Sequence, residues 1–349
     1  MYKAERILSG YFILFIIILM SCDSDEQTIT DLNKVEIQYE ENYLDDRIFF
    51  NSKDKMIYFI TFYSRNSETT ACKINAFNYE LKKITSQKMM EYSYNPAIST
   101  NSIGIYNNQV EIYILSGDKL TILDGVDLNE IASLTIPNSL ISNVKTKDGL
   151  LFISHKENTQ DFVSVHNRHD LTLNPEAGNI ESNSNYGYLM VFKDNLNQIR
   201  CLSFPRLSND RYFRDFTFDN QGTYLNFGLG RDGNVVFREN ILAKTNDNVD
   251  FILTGPSGTI HNKDELLLTE SEKLKLYTGQ FEDYFISDDG AYIYSIQNNL
   301  SIDRYNASTF ILEESISINE NGKDLFVTED QFIVFDYINK KVSFSFYQK

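Results

Sequence analysis

An all-β fold made of repeated antiparallel sheets is what this sequence predicts, and three observations predict it. Apolar residues come in runs of four to seven, rich in β-branched and aromatic types and bounded by Asn, Asp, Gly and Ser clusters. Helical periodicity is nearly absent; the best stretch for even a helical turn, 270–276, alternates as readily as it spirals. The strand and turn pattern also recurs along the chain at a roughly constant interval.

Taken in order, the first such unit opens at Asp54-Lys55 and continues into the run 56–60. A second opens at Asn107-Asn108, with apolar runs at 110–114, 119–123 and 130–136, and a third at Asp148-Gly149, leading into 150–153. The fullest copy starts at Phe285. Ser287-Asp288-Asp289-Gly290 turns into a strand at 291–296, Gln297-Asn298-Asn299 into one at 300–305, and Asn306-Ala307-Ser308-Thr309 into 310–318. A last unit opens at Asp330 and runs through 331–335. Asp-Gly and Asn-rich tips supply the positive φ that tight hairpins demand.

The turn markers Asp54, Asn108, Asp148, Asp289 and Asp330 are spaced by 54, 40, 141 and 41 residues. The long interval equals three periods of about 47, which places two further turns near Asp194-Asn195 and within 238–248. Units of this length, each a four-stranded antiparallel meander, are the blades of a single β-propeller. Seven blades fit best; six larger ones are the alternative, and a pair of β-sandwiches or a β-helix is the competing architecture. The final unit is short of strands, so Val35-Glu36-Ile37-Gln38-Tyr39 is expected to complete it and close the ring, leaving no open edge there.

Composition sets the outer limits. Of 349 residues, 42% are hydrophobic and 13% aromatic, with 16 Gly, 5 Pro, 3 Cys and no Trp, which excludes collagen-like, disulfide-scaffold and wholly disordered classes. A net charge of −17 argues against nucleic acid, whose phosphates need a basic face. One apolar stretch at the N-terminus excludes a multi-pass membrane protein.

That stretch, 11–20, follows Lys3 and Arg6 and is too short to span a bilayer, which takes about 20 residues. It ends in Leu19-Met20-Ser21-Cys22, which resembles the lipobox of bacterial lipoproteins. The resemblance implies a signal peptide over 1–21, cleaved before Cys22, whose thiol carries acyl chains that hold the membrane at about 0.8 kcal/mol per buried methylene. Asp23, Asp25 and Glu26 follow at once and resemble the acidic export signal of Bacteroidetes surface lipoproteins. Read as physics alone, the same run is a solvated acidic tether over 22–33. The expected location is the outer membrane, lipid-anchored, at the cell surface or the periplasmic face, with the propeller over 34–349. Cys72 and Cys201 read as buried thiols; their spacing gives no disulfide framework.

Blade rhythm and lipobox together resemble the β-propeller lipoproteins of Bacteroidetes, several families of which have no assigned function, so fold and location carry over and no catalytic residues do. His166-Asn167-Arg168-His169 lacks metal-ligand spacing, Asn246-Asp247-Asn248-Val249-Asp250 lacks the glycine of a calcium loop, and Gly228-Leu229-Gly230-Arg231 is read as following a strand and opening no helix. No metal and no cofactor is expected. Six of 11 arginines fall between 200 and 238, interleaved with aromatics. Arg206, Arg211, Tyr212, Arg214 and Arg231 are therefore candidate contacts for an anion or glycan, the alternative being ordinary pairing with neighbouring acids. The leading functional reading is a monomeric binding or scaffolding module for a protein or glycan. Its rival is a polysaccharide lyase or hydrolase working at the propeller channel.

Overall fold

In the computed structural model every described element is a β-strand or bridge joined by turns and bends, and the described residues are 33–44, 48–63, 70–92, 101–182, 187–193, 196–204, 212–231, 281–286, 291–297, 301–306, 311–318 and 322–349. Residues 34–349 form one compact unit. Six sheets are described. The first five cover 43–92, 102–135, 139–181, 188–231 and 281–317, and the sixth joins 324–348 to Asn33–Gln38. In the first five, strand order follows the chain, as a meander requires.

Burial explains how the sheets pack. The second strand of the first sheet, Met56–Phe62, is buried at all seven positions, because its sequence is apolar on both faces. The fourth strands, such as Glu130–Thr135 and Leu312–Ser317, carry mostly exposed side chains. Sheets therefore face each other through their inner strands: Ser139–Lys147 touches both Ser102–Tyr106 and Tyr188–Lys193, and Phe281–Ile286 touches Asp324–Val327. Five apolar seams follow among the described residues. Phe59 and Phe77 of the first sheet meet Phe335 and Phe344 of the sixth, with the Phe77 and Phe344 rings stacked at 4.1 Å. Tyr58 and Ile74 meet Ile112, Tyr113 and Ile122 meet Ile153, and Phe152 and Val163 meet Phe216. Tyr294 of the fifth sheet packs edge-on against Phe332 of the sixth at 5.4 Å.

The markers read from the sequence occupy one structural position. Asp54, Asn108, Asp148 and Asp330 lie between the first and second strands of their sheets; the turns expected at Asp194-Asn195 and at Asp289 lie outside the described residues. Asn107 (φ 48), Asn108 (φ 63), Asp148 (φ 50) and Gly149 (φ 79) adopt the left-handed conformation expected of them. The turn expected within 238–248, the possible helical turn at 270–276 and the acidic segment 246–250 lie outside the described residues, as does the seventh sheet that the rhythm calls for.

Ring closure follows the expectation. Asn33–Gln38 pairs with Lys341–Gln348, and the Tyr39 amide donates to the Lys340 carbonyl at 3.0 Å. Val35 and Ile37 pack on the seam between the first and sixth sheets, and Lys341 pairs with Glu36 at 2.9 Å.

Two details correct the sequence reading. The first sheet has five strands, because its inner strand is split into Tyr43–Leu44 and Phe49–Asn51, both paired with Met56–Phe62. Gly228-Leu229-Gly230-Arg231 does not follow a strand but lies inside one, Tyr224–Arg231, where Gly228 faces the side chain of Asp215. Register against Tyr212–Phe218 outweighs the turn tendency of its glycines.

Candidate ligand-binding groove

The start and the end of the propeller unit lie side by side and leave a shallow groove, open to solvent, between them. It is lined by Tyr39, Asn42, Tyr43, Leu44, Tyr337, Ile338, Asn339 and Lys340. Tyr337 and Ile338 end the second strand of the sixth sheet, and Asn339 (φ 50) and Lys340 (φ 60) form the two-residue turn to the third. On the other wall, Tyr43 pairs with Phe62 at the matching end of the first sheet.

The linker between the walls is fixed by polar contacts. The Asn42 amide donates to the Phe62 carbonyl at 2.9 Å, and its side-chain nitrogen donates to the Tyr63 carbonyl at 2.8 Å. The Lys340 ammonium donates to the Asn42 Oδ1 at 2.9 Å and to the Glu40 carbonyl at 3.2 Å. Beneath them Glu41 is fully buried and paired with Lys73. Burial works against its charge, but hydrogen bonding and charge from Lys73 outweigh that and hold the carboxyl below its usual range. Tyr43 (40% exposed) and Ile338 (66%) face solvent. Lys323 sits 3.5 Å from the Tyr337 ring centroid and donates to the Tyr337 carbonyl at 2.9 Å.

Several strongly shifted titratable groups among the described residues lie elsewhere, inside the seams. Arg168, 4% exposed, forks onto Glu111 with contacts of 2.7 and 2.6 Å, joining the third sheet to the second. The Tyr113 hydroxyl donates to the same carboxylate at 2.8 Å, and burial, followed by the Glu111 charge, pushes its pKa up. Arg168 also stacks 5.0 Å from the Tyr106 ring. His155 is fully buried, stacked on Phe162 at 5.7 Å, with no hydrogen bond at either ring nitrogen; burial and, secondarily, His166 lower its pKa to about 4. Between the first two sheets the Tyr58 hydroxyl donates to the Gly125 carbonyl at 2.6 Å, and burial raises its pKa. Cys72 and Cys201 are both buried and not joined in a disulfide; burial pushes the Cys201 thiol up.

Of the residues singled out from the sequence, Cys22, Asp23, Asp25, Glu26, Arg206 and Arg211 lie outside the described residues. Tyr212 and Arg231 are register partners at one end of the outer hairpin of the fourth sheet, and Arg214 is two residues along, opposite Leu229. Arg200, from the same cluster, is engaged by Asp215 with a 2.9 Å contact from its Nε. His166 is buried and contacts the Leu171 carbonyl at 3.1 Å, whereas His169 is exposed beside Asp170. The structure does not bring that pair together, and among the described residues no group of three His, Cys, Asp or Glu could hold a metal.

Sequence reasoning missed the groove and the Arg168–Glu111 bridge. Tyrosines flanking the expected closing strand were the available signal for the groove. Arg168 was in view only as a neighbour of two histidines, and its partner, 57 residues earlier in the chain, has no local signature.

No family model and no curated protein matches this chain. Solved structures do match. The β-propeller domain of Myceliophteria thermophila Cps50 (Swd1) superposes with a TM-score of 0.50 at 8% identity, covering 90% of this chain and 99% of that one. The fold is a β-propeller. The Dos1 propeller gives a TM-score of 0.49 at 9% identity, over 89% of this chain and 82% of that one. In all, 1117 solved chains match, and likeness so widely shared at such low identity specifies the architecture alone.

Proposed function

We propose that the protein is a lipid-anchored, non-enzymatic recognition module of the cell envelope, held through Cys22 and presenting one face of its propeller to a ligand. The single observation that carries this reading is the lining of the groove: among the described residues it is tyrosine, asparagine, apolar side chains and one ammonium, with no carboxylate, histidine or cysteine. Catalytic sites gather titratable groups with shifted pKa values in a cleft. Here the strongly shifted groups His155, Tyr58 and Tyr113 are enclosed between blades.

Topology adds a second support. The groove lies at the blade end where second and third strands connect, and Tyr212, Arg214 and Arg231 lie at that same end of the fourth blade. Equivalent ends of propeller blades share a face, so the backbone at these three positions lies on the groove's side of the propeller. The closing strand reaches this face at Tyr39.

The reading is tested in two steps. Labelled palmitate should be incorporated into the wild-type chain and not into Cys22→Ser, and labelling of both overturns the anchor. Incubation of the purified mature protein with a polysaccharide panel should release no new chain ends. Steady release of reducing or unsaturated ends would mean a lyase or hydrolase instead.

A further inference from the structure

We infer that the end of the propeller opposite the groove rests on a zwitterionic lipid surface. This rests on the envelope location proposed above and names the face that meets the bilayer. At that end first strands pass to second and third strands to fourth. Five successive sheets each present an exposed aliphatic there: Leu81, Val126, Leu173, Leu196 and Ile311, between 44% and 73% exposed. At the groove end the exposed large apolar side chains among the described residues are Tyr43, Tyr63 and Ile338, confined to the first and sixth sheets. Turn chemistry gives no reason for aliphatic tips, since turns draw on Gly, Asn, Asp and Ser. Here those neighbours do fix the backbone. The Leu81 amide donates to Asn78 Oδ1 at 2.8 Å, the Val126 amide to Asp124 Oδ1 at 2.6 Å, and the Ile311 carbonyl accepts from the Asn306 amide at 3.0 Å. Pressing these tips into an apolar phase therefore strands none of those three backbone groups.

Placement selects the partner. The five tips belong to five different sheets, so they are spread round the ring and do not form one patch. A protein of standard interface size covers about 800 Å² and would meet only neighbouring tips, whereas a bilayer is flat and wider than the propeller. Its boundary between headgroups and acyl chains takes in isolated aliphatic side chains. Charge selects the lipid. Glu80, Asp127 and Asp170, all exposed, share the connections of Leu81, Val126 and Leu173, and the whole chain carries −17, so anionic headgroups are repelled and zwitterionic ones are not.

The test is flotation of the mature chain carrying Cys22→Ser, which has no acyl chain, with vesicles of phosphatidylethanolamine and phosphatidylcholine. A fraction should float with the vesicles. Leu81→Ser and Leu196→Ser should each weaken partitioning about fivefold, equivalent to about 1 kcal/mol, because a partly inserted leucine contributes less than a fully buried one. Ile338→Ser removes a similarly exposed aliphatic at the groove end and should change nothing. Replacing part of the phosphatidylcholine by phosphatidylglycerol should lower binding. Unchanged urea midpoints confirm that the three variants are folded. Absence of flotation, equal loss in Ile338→Ser, no loss in either tip variant, or flotation strengthened by phosphatidylglycerol overturns the inference. Loss of a soluble protein partner from the tip variants, without flotation, does so too. Palmitate labelling separates the two readings: labelling without flotation leaves the anchor standing and removes this inference, whereas flotation without labelling removes the anchor alone.

Discussion

His155 should make this protein lose stability on mild acidification, and the size of the loss can be worked from its surroundings. The imidazole is fully buried between blades, neither ring nitrogen is hydrogen-bonded, and the nearest carboxylate oxygen, on Glu157, is 3.9 Å away. Burial therefore favours the neutral ring and brings its pKa from the ordinary 6.5 to about 4. A histidine depressed in this way contributes fully above pH 6.5. As pH falls below that value the unfolded chain takes up a proton that the folded one refuses, and stability declines until the folded pKa is reached. With those two values, moving from pH 7.5 to 5.5 costs about 1.3 kcal/mol, and the whole span down to pH 4 about 3 kcal/mol. The upper pH pair stays clear of the isoelectric point near 4.7, where solubility is lowest.

The assay is urea unfolding of wild type and His155→Leu at pH 7.5 and 5.5. Leucine fills similar volume beside Phe162 and cannot protonate. Background titration of surface carboxylates is common to both proteins and cancels in the difference. The variant should gain about 1.3 kcal/mol on the wild type between the two pH values. That is a relative midpoint shift of about 0.4 M for an m-value on the order of 3 kcal/mol/M. It should also be no less stable at pH 7.5, since it removes two buried nitrogens without partners. Parallel profiles, with a difference constant to about 0.3 kcal/mol, would refute the assignment of a buried, neutral, unpartnered ring.

Four further outcomes are expected. Arg168→Met should destabilise by about 3–5 kcal/mol in urea unfolding because it strands the Glu111 carboxylate between blades, and Glu111→Gln in the same chain should restore most of the loss. Gly104→Ala should cost at least about 1–3 kcal/mol, since the added methyl would stand 2.3 Å from the Thr146 methyl and 2.6 Å from the Tyr113 ring, and Thr146→Ser should relieve part of it. Removing the chain through Gln38 exposes the edge of Lys341–Gln348 and the contacts of Val35 and Ile37. It should lower stability by at least about 2 kcal/mol and produce concentration-dependent association in sedimentation velocity. In Cys22→Ser, neither Cys72 nor Cys201 should react with a thiol reagent until the protein is unfolded in urea, when both should.

What could be read from the sequence is what depends on local rules. Strand runs such as 56–60 and 110–114 announce themselves by apolar and β-branched density, and turns such as Asn107-Asn108 and Asp148-Gly149 by their tolerance of positive φ. Because the same turn recurs in each blade, its spacing gave the repeat and hence the ring. The closing strand was legible for a global reason: the last unit lacked a strand and Val35 to Tyr39 was the one left over. Contacts between blades were not legible. Arg168 meets Glu111, and the Lys340 ammonium meets Asn42, only after neighbouring sheets have packed or the two ends of the propeller unit have met. The arginine cluster shows the same limit from the other side: Arg200 and Arg214 fall in one cluster by composition, and only the structure shows that a carboxylate on the neighbouring strand engages Arg200.

The same architecture explains why recognition and integrity are joined at one place. In a ring of blades the second strands are covered on both faces, so their polar groups, Glu111 and His155 among them, must be satisfied or held neutral inside the seams and are unavailable to a ligand. Side chains are presented outward by the fourth strands and by the strand ends. The walls of the groove come from residues 39–44 and 337–340, which come together where Asn33–Gln38 is paired with Lys341–Gln348. A ligand seated there binds the closed ring and not the opened one, so by linkage it strengthens closure, by about 2.7 kcal/mol at a concentration of 100 Kd. Occupancy of the groove should thus protect the amides of the closing strand from hydrogen exchange more than those of the second blade, and equal protection of both would separate binding from closure.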